Sequence, residues 1–187
     1  MNKSDMLELI GEKVCNCTKC PELTASRTQT VLGEGNPDAD LVFVGEGPGK
    51  REDATGRPFV GDAGKLLDNI LKACGLERES VYICNAIKCR PEYNRTPWPQ
   101  EVQNCRSFLN LQMRVISPKV IVCLGNSAAQ SVLETKDGVN KLRGSWYSHG
   151  TAKVRVTFHP AYLLRSPDKK ADVWEDMQEV LRVLNGH

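Results

Sequence analysis

Strand-like and helix-like runs alternate along most of this chain, and that alternation restricts the fold more than any other feature. "DLVFVG", "SVYICNAI", "KVIVCLG" and "KVRVTFHP" are short apolar runs. After them, in turn, "GDAGKLLDNILKACGL", "PQEVQNCRSFLNLQMRVI", "NSAAQSVLE" and "DKKADVWEDMQEVLRVLN" place apolar residues at helical spacing. A strand apolar on both faces must be covered on both faces, which a mostly parallel sheet between helices achieves. The expected class is therefore α/β. Pro99 sits in the first turn of one expected helix, and Gly75 ends another. Ahead of them, "SDMLELIGEKV" reads as a helix with Ser4 or Asp5 as its N-cap. Ligands of such folds gather at the carboxyl ends of strands. That singles out "GEGPG", "CNAIKCRP", "LGNSAA" and "HPAYLLR".

With 187 residues, 40% apolar and 26% charged, the chain suits one well-buried core, and a single domain over 1–187 is expected. A net charge of +2 implies no polyanion partner by itself, so any case for nucleic acid rests on local charge. No apolar run reaches the length of a membrane span, and Met1 to Val14 is polar and amphipathic rather than signal-like. An intracellular, cytoplasmic protein is the expectation.

The stretch "VGEGPGKREDATGRPFVGDAG" puts bare backbone directly after a strand. It is not a P-loop, because Gly49-Lys50 is followed by Arg51 and Gly64-Lys65 by Leu66, where a Ser or Thr hydroxyl is needed for magnesium. It is not a dinucleotide fingerprint either, since Pro48 and Gly49 interrupt the glycine spacing. A plain tight turn is one reading. A backbone shaped for close approach to a flat ligand, with Glu46 and Glu52 beside it, is the other.

Eight cysteines without an export signal point to metal or redox chemistry rather than disulfides. Cys17-x2-Cys20 plus the distant Cys89 and Cys105 suits tetrahedral zinc or an iron–sulfur cluster, and spacing does not separate the two. Cys15 is an alternative to Cys17, which has the advantage of completing the Cys-x2-Cys. Cys84 and Cys123 lie inside apolar strands, where free cysteine acts as a small apolar residue, and Cys74 ends a helix. Around Cys89 and Cys105 the chain carries Lys88, Arg90, Arg95, Arg106 and Arg114, a candidate phosphate-binding patch.

Together, "VGEGPGKREDATGRPFVGDAG", "NAIKCRPEYNRTPWP" and "HPAYLLRSP" resemble the family 4 uracil-DNA glycosylases, the iron–sulfur branch of the uracil-DNA glycosylase superfamily. The resemblance runs from about Cys17 to Val183. It implies a three-layer αβα sandwich around a central four-stranded, mostly parallel sheet. It also implies a [4Fe-4S] cluster on Cys17, Cys20, Cys89 and Cys105, and excision of uracil from single- and double-stranded DNA as the first step of base excision repair. Phe59 matches the aromatic that stacks on the extruded base, and Asn85 is placed to read its edge. His159 would stabilise the charge of the departing uracil. Glu46 is the candidate for positioning water or stabilising the sugar cation, with Asn94 in support. Gly47 stands where the best-studied branch has an aspartate, and Glu52 matches a position beside uracil C5, where crowding would exclude thymine. Leu163 reads as a wedge entering the stack, with Arg165 and Ser127 on flanking phosphates.

No lysine stands where a Schiff-base nucleophile is expected, so hydrolysis without strand cleavage follows. A non-catalytic uracil-DNA binding module and an iron–sulfur electron carrier are the rival classes; a covalent uracil-DNA binder lacks its inserted basic loop here. The expected partners are uracil-containing DNA and, beyond it, a sliding clamp or downstream repair enzymes. The chain is expected to act as a monomer, at the nucleoid of a prokaryotic cell.

Overall fold

The computed structural model describes residues 1–186. Helix α1 (Lys3–Cys15) is capped by Asn2, whose side chain accepts from the Asp5 amide at 2.9 Å, so the cap falls earlier than Ser4 or Asp5. α2 (Pro21–Ser26) and the short β1 (Glu34–Gly35) lead to β2 (Leu41–Gly45). The glycine-rich stretch then folds into α3 (Lys50–Thr55) and α4 (Asp62–Ala73). β3 (Tyr82–Asn85), α5 (Pro99–Ile116), β4 (Val120–Leu124), α6 (Asn126–Leu133) and α7 (Val139–Leu142) follow. A hairpin of β5 (Tyr147–His149) and β6 (Ala152–Thr157), then α8 (Pro160–Arg165) and α9 (Lys170–Leu184), complete the chain.

The sheet has six strands in the order β1-β3-β2-β4-β6-β5, not four. The four expected strands form its parallel centre, and two short antiparallel strands, β1 and β5, close the edges. Two and three residues long, these edges are too short to leave a periodic signal. Every residue of β2, β3 and β4 is buried, as expected of strands covered on both faces. α6 packs on β4 and α5, and α5 on α1; α9 packs on β4 and β6. Among the described residues no helix is long and apolar enough to cross a membrane.

Topology also decides where a crevice forms. β3 lies outside β2 on one side and β6 outside β4 on the other, so the connections leaving the neighbouring strands β2 and β4 run in opposite directions. At such a reversal the loops diverge and leave an opening outside the strands' carboxyl ends.

Candidate active site

A cleft of about 480 Å³ occupies that position. Glu46 and Gly47 reach it from the end of β2, Asn85 from the last residue of β3, and His159 from the N-cap of α8. Glu52, Phe59, Asn94 and Arg165 line it as well. Residues separated by more than a hundred positions in sequence therefore share one hollow, because four parallel strands end on the same side.

Asn85 is 2% exposed, and its Oδ1 has no hydrogen-bond partner. A buried acceptor left unpaired costs about 1–3 kcal/mol, a cost relieved when a ligand brings a donor. Phe59 is held in the left-handed region at φ 50°. Its carbonyl accepts from Arg78 Nη1 at 3.1 Å, and Arg78 Nη2 bonds the Pro58 carbonyl. Arg78 is itself anchored by Glu34 at 3.0 Å and Asp68 at 3.0 Å. Two glycines make room for this arrangement. A Cβ on Gly45 would lie 2.5 Å from both Asn85 Oδ1 and Phe59 Cζ, and one on Gly64 would lie 2.0 Å from the Phe59 carbonyl oxygen.

The ring of His159 stacks on Phe59, centroids 5.5 Å apart at 27°. His159 Nδ1 accepts from the Ala161 amide at 3.0 Å, capping α8. With Nδ1 an acceptor, the proton of the neutral ring sits on Nε2, which becomes a donor. Burial, assisted by the charge of Arg165, pushes the imidazole pKa down to about 4, so the ring is neutral at physiological pH.

Glu46 is half-buried, and burial raises its carboxyl above the usual range; a 3.1 Å hydrogen bond from Ser127 Oγ opposes that rise. This bond spans the topological reversal, joining the loop after β2 to the start of α6. Glu52 uses its carboxylate on the backbone, accepting from the amides of Gly49, Val60 and Gly61 at 3.0, 2.9 and 2.8 Å. It thereby fastens the two limbs of the glycine-rich stretch together. Asn94 Oδ1 accepts from Arg90 Nε at 2.7 Å on the opposite wall.

Comparison with known proteins identifies the family. The family model of the uracil DNA glycosylase superfamily matches residues 32–179. A type-4 uracil-DNA glycosylase of Thermotoga maritima is 48% identical over 95% of this chain and 94% of its own length. One from Archaeoglobus fulgidus is 41% identical over 94% of this chain and 92% of its own. This chain belongs to the uracil DNA glycosylase superfamily, in its type-4 branch. A type-5 uracil-DNA glycosylase of Pyrobaculum aerophilum is more distant, at 28% identity over 81% of the chain.

In this type-4 chain the buried thiols of Cys89 and Cys105 both sense Cys20, and Cys89 senses Cys17 as well. Burial raises the Cys89 thiol, Arg27 lowers it, and Cys17 and Cys20 raise it further. Burial takes Cys105 to about 11 against the lowering effect of Lys88, with Cys89 and Cys20 adding to the rise. Arg27 Nη1 donates to Cys89 Sγ at 3.2 Å and Asn104 Nδ2 to Cys20 Sγ at 3.4 Å. Cys15 is exposed. Among the described residues no group of three or more Cys, His, Asp or Glu side chains is gathered tightly enough around one point to hold a single ion.

Three expectations need correction. Leu163 is 1% exposed and faces the core, so its side chain is not free to enter a base stack; Leu164, 50% exposed, is the leucine that faces solvent. In a helix, consecutive residues diverge by about 100°, so only one of the pair can face inward. Ser127 is buried with its hydroxyl on Glu46 rather than open to a phosphate. The basic patch around Cys89 also shrinks, leaving Arg114 exposed while Lys88, Arg95 and Arg106 turn to internal partners. Lys88 is 1% exposed, with Nζ on the Asn85 carbonyl at 2.8 Å. Arg95 forms a two-point pair with Glu101 beneath the Trp98 ring, and Arg106 serves the carbonyls of Ser131 and Gln130.

The sequence reading missed Arg78 and Glu34 altogether. Glu34 lies 44 positions from Arg78, and neither carries a motif. Burial also hid the role of Lys88, since a lysine next to arginines reads as surface charge.

Proposed function

We propose that this chain hydrolyses the N-glycosidic bond of uracil in DNA, leaving an abasic site without strand cleavage. The observation that carries this reading is the unpartnered, buried Oδ1 of Asn85, in one cleft with Phe59 and a neutral His159. The base leaves the duplex, and Phe59 offers an apolar surface to its face. Asn85 accepts from N3–H and donates to O4. As the bond to the sugar breaks, negative charge grows on the base, and His159 Nε2–H donates to O2. A neutral imidazole suffices for that, because the interaction strengthens only as charge develops. Glu46, steadied by Ser127, positions water or stabilises the cationic sugar. Asn94 supports that wall, and Arg165 meets a flanking phosphate.

The donor set of Cys17, Cys20, Cys89 and Cys105, with N–H groups of Arg27 and Asn104 already on two of the sulfurs, fits a [4Fe-4S] cluster. When bound, the cluster supplies cross-linking of the chain near DNA rather than a step of hydrolysis. The enzyme works inside the cell, on single- and double-stranded DNA, as a monomer.

The test is incubation of the purified chain with a uracil-containing oligonucleotide, followed by alkaline cleavage. Uracil release is expected in wild type. His159→Ala should lower the rate by about 10²–10³ with affinity retained. Wild type that binds uracil-DNA without releasing base would reject catalysis in favour of a binding module. A visible spectrum of the same sample tests the cluster independently of activity.

A further inference from the structure

The loop from Arg90 to Trp98 forms one wall of the cleft through Pro91, Asn94, Arg95, Thr96 and Pro97, and at its tip stands Tyr93. Tyr93 is 89% exposed, more than any other large apolar side chain among the described residues. Its backbone is left-handed at φ 56°, and so is that of Asn94. A left-handed aromatic residue is unfavourable, and glycine would hold this turn at no steric cost. The loop around it is rigid. Asn94 N bonds the Pro91 carbonyl at 3.0 Å, Arg90 reaches Asn94, and Arg95 is fastened to Glu101 and stacked 3.8 Å over Trp98. Among the described residues the Tyr93 ring has no aromatic or cationic partner and its hydroxyl no hydrogen bond. Trp98, by contrast, has one face covered by Arg95. A braced loop thus holds an uncovered ring in water at the edge of the cleft. Also bordering the cleft, α8 carries the exposed Leu164 next to Arg165, which lines the hollow.

We infer that Tyr93 is a stacking platform for a nucleobase adjoining the extruded uracil. This rests on the functional reading above. Once a base leaves the stack, its neighbours expose a face, and aromatic side chains bind such faces with little sequence preference. A phenol is suited to this, presenting a flat apolar ring at little entropic cost. Glu92, beside it, has the wrong sign for a phosphate, so the tip contributes a ring to stack rather than a charge to neutralise. The platform lies on the loop after β3, separate from the leucine of α8. Single-stranded DNA, whose bases are already unpaired, gains most from such a surface.

The test uses a single-stranded oligonucleotide with a reduced abasic-site analogue and 2-aminopurine placed immediately 5′ or 3′ to it. Tyr93→Gly and Tyr93→Ala should bind about tenfold more weakly, and Tyr93→Phe within about twofold of wild type. Wild type and Tyr93→Phe should quench 2-aminopurine on one side of the lesion, and Tyr93→Gly should not. Because glycine tolerates the left-handed turn, Tyr93→Gly should also keep or raise Tm, separating lost stacking from lost folding. A raised Tm with wild-type affinity and quenching would reduce Tyr93 to a turn residue and overturn the inference. Weaker binding with no change in quenching on either side would overturn stacking too. Should wild type neither release uracil nor bind this oligonucleotide, the functional reading itself falls, taking the platform with it; intact wild-type activity with an unaffected Tyr93→Gly sinks the platform alone.

Discussion

The amide of Asn85 presents one acceptor and one donor, in an order that uracil N3–H and O4 match and cytosine reverses. With its Oδ1 buried and unpaired, a cytosine in the cleft would leave that atom facing another acceptor. Asn85→Asp should therefore narrow the preference for uracil over cytosine by at least about tenfold, measured as base release from matched oligonucleotides. Unchanged preference would remove Asn85 from edge recognition. Two titratable groups of the cleft, His159 and Glu46, are pushed in opposite directions, and each has its own consequence. His159, pushed down to about 4, stays neutral down to mild acid, so it sets no acid limb above pH 5. Glu46 is raised, so if its carboxylate serves turnover as proposed, single-turnover rate should show an acid limb from its protonation, falling as pH drops through that limb. The Ser127 bond lowers the Glu46 carboxyl, so Ser127→Ala should move the limb to higher pH, and Glu46→Gln should flatten it. A limb that stays fixed in Ser127→Ala would deny the pair a role in turnover. For stability the sign is also definite. His159 is depressed below its unfolded value of 6.5, so its contribution is intact above pH 6.5 and is lost as pH falls toward 4. At this scale the residue types in the motifs were legible, but protonation was not, because it depends on burial that a linear chain does not display.

Among the elements, the glycine-rich stretch after β2 owes its shape to contacts from outside it. Glu52 ties its two limbs together, Arg78 grips the Pro58 and Phe59 carbonyls, and Gly64 makes room for the Phe59 backbone. Removing the guanidinium leaves two carbonyls without their partner and Glu34 with only Arg57. Arg78→Ala should cost about 1–3 kcal/mol in denaturant unfolding and lower base release further than the lost stability explains. If the variant unfolds more easily yet turns over normally when folded, Arg78 holds the fold and not Phe59. The sequence announced that this loop was unusual and excluded phosphate from it. It did not reveal what braces the loop, since Arg78 lies in a short turn beyond α4 with no pattern of its own. Gly47 is similar. A Cβ there would come within 2.7 Å of Ile87 Cγ1, so an aspartate at this position would require the Ile87 side chain to shift. Glycine fits here where the Ile87 side chain leaves little room, a relation that no single position discloses.

Taken as a whole, the molecule carries too little net charge, +2, to bind DNA by bulk attraction. Affinity has to come from a few local cations, and the arginines and lysine around Cys89 and Cys105 are mostly committed to internal partners. Arg165, exposed at the cleft, is the cation best placed to meet a phosphate. Arg165→Gln should reduce the slope of log affinity against log salt by about one, checked by titration at several salt concentrations. An unchanged slope would show that Arg165 makes no phosphate contact.

By itself the sequence determined the α/β class and the parallel centre of the sheet, and its motifs held residues that line the cleft. These depend on hydrophobic period, on turn chemistry and on residue type, all of which are local. Only the tertiary structure decided which leucine of "YLLR" faces outward, that Lys88 is buried, that Ser127 serves Glu46, and that Arg78 holds Phe59 in place. Those outcomes depend on which distant elements come together, because burial and pairing are properties of contacts made across the fold.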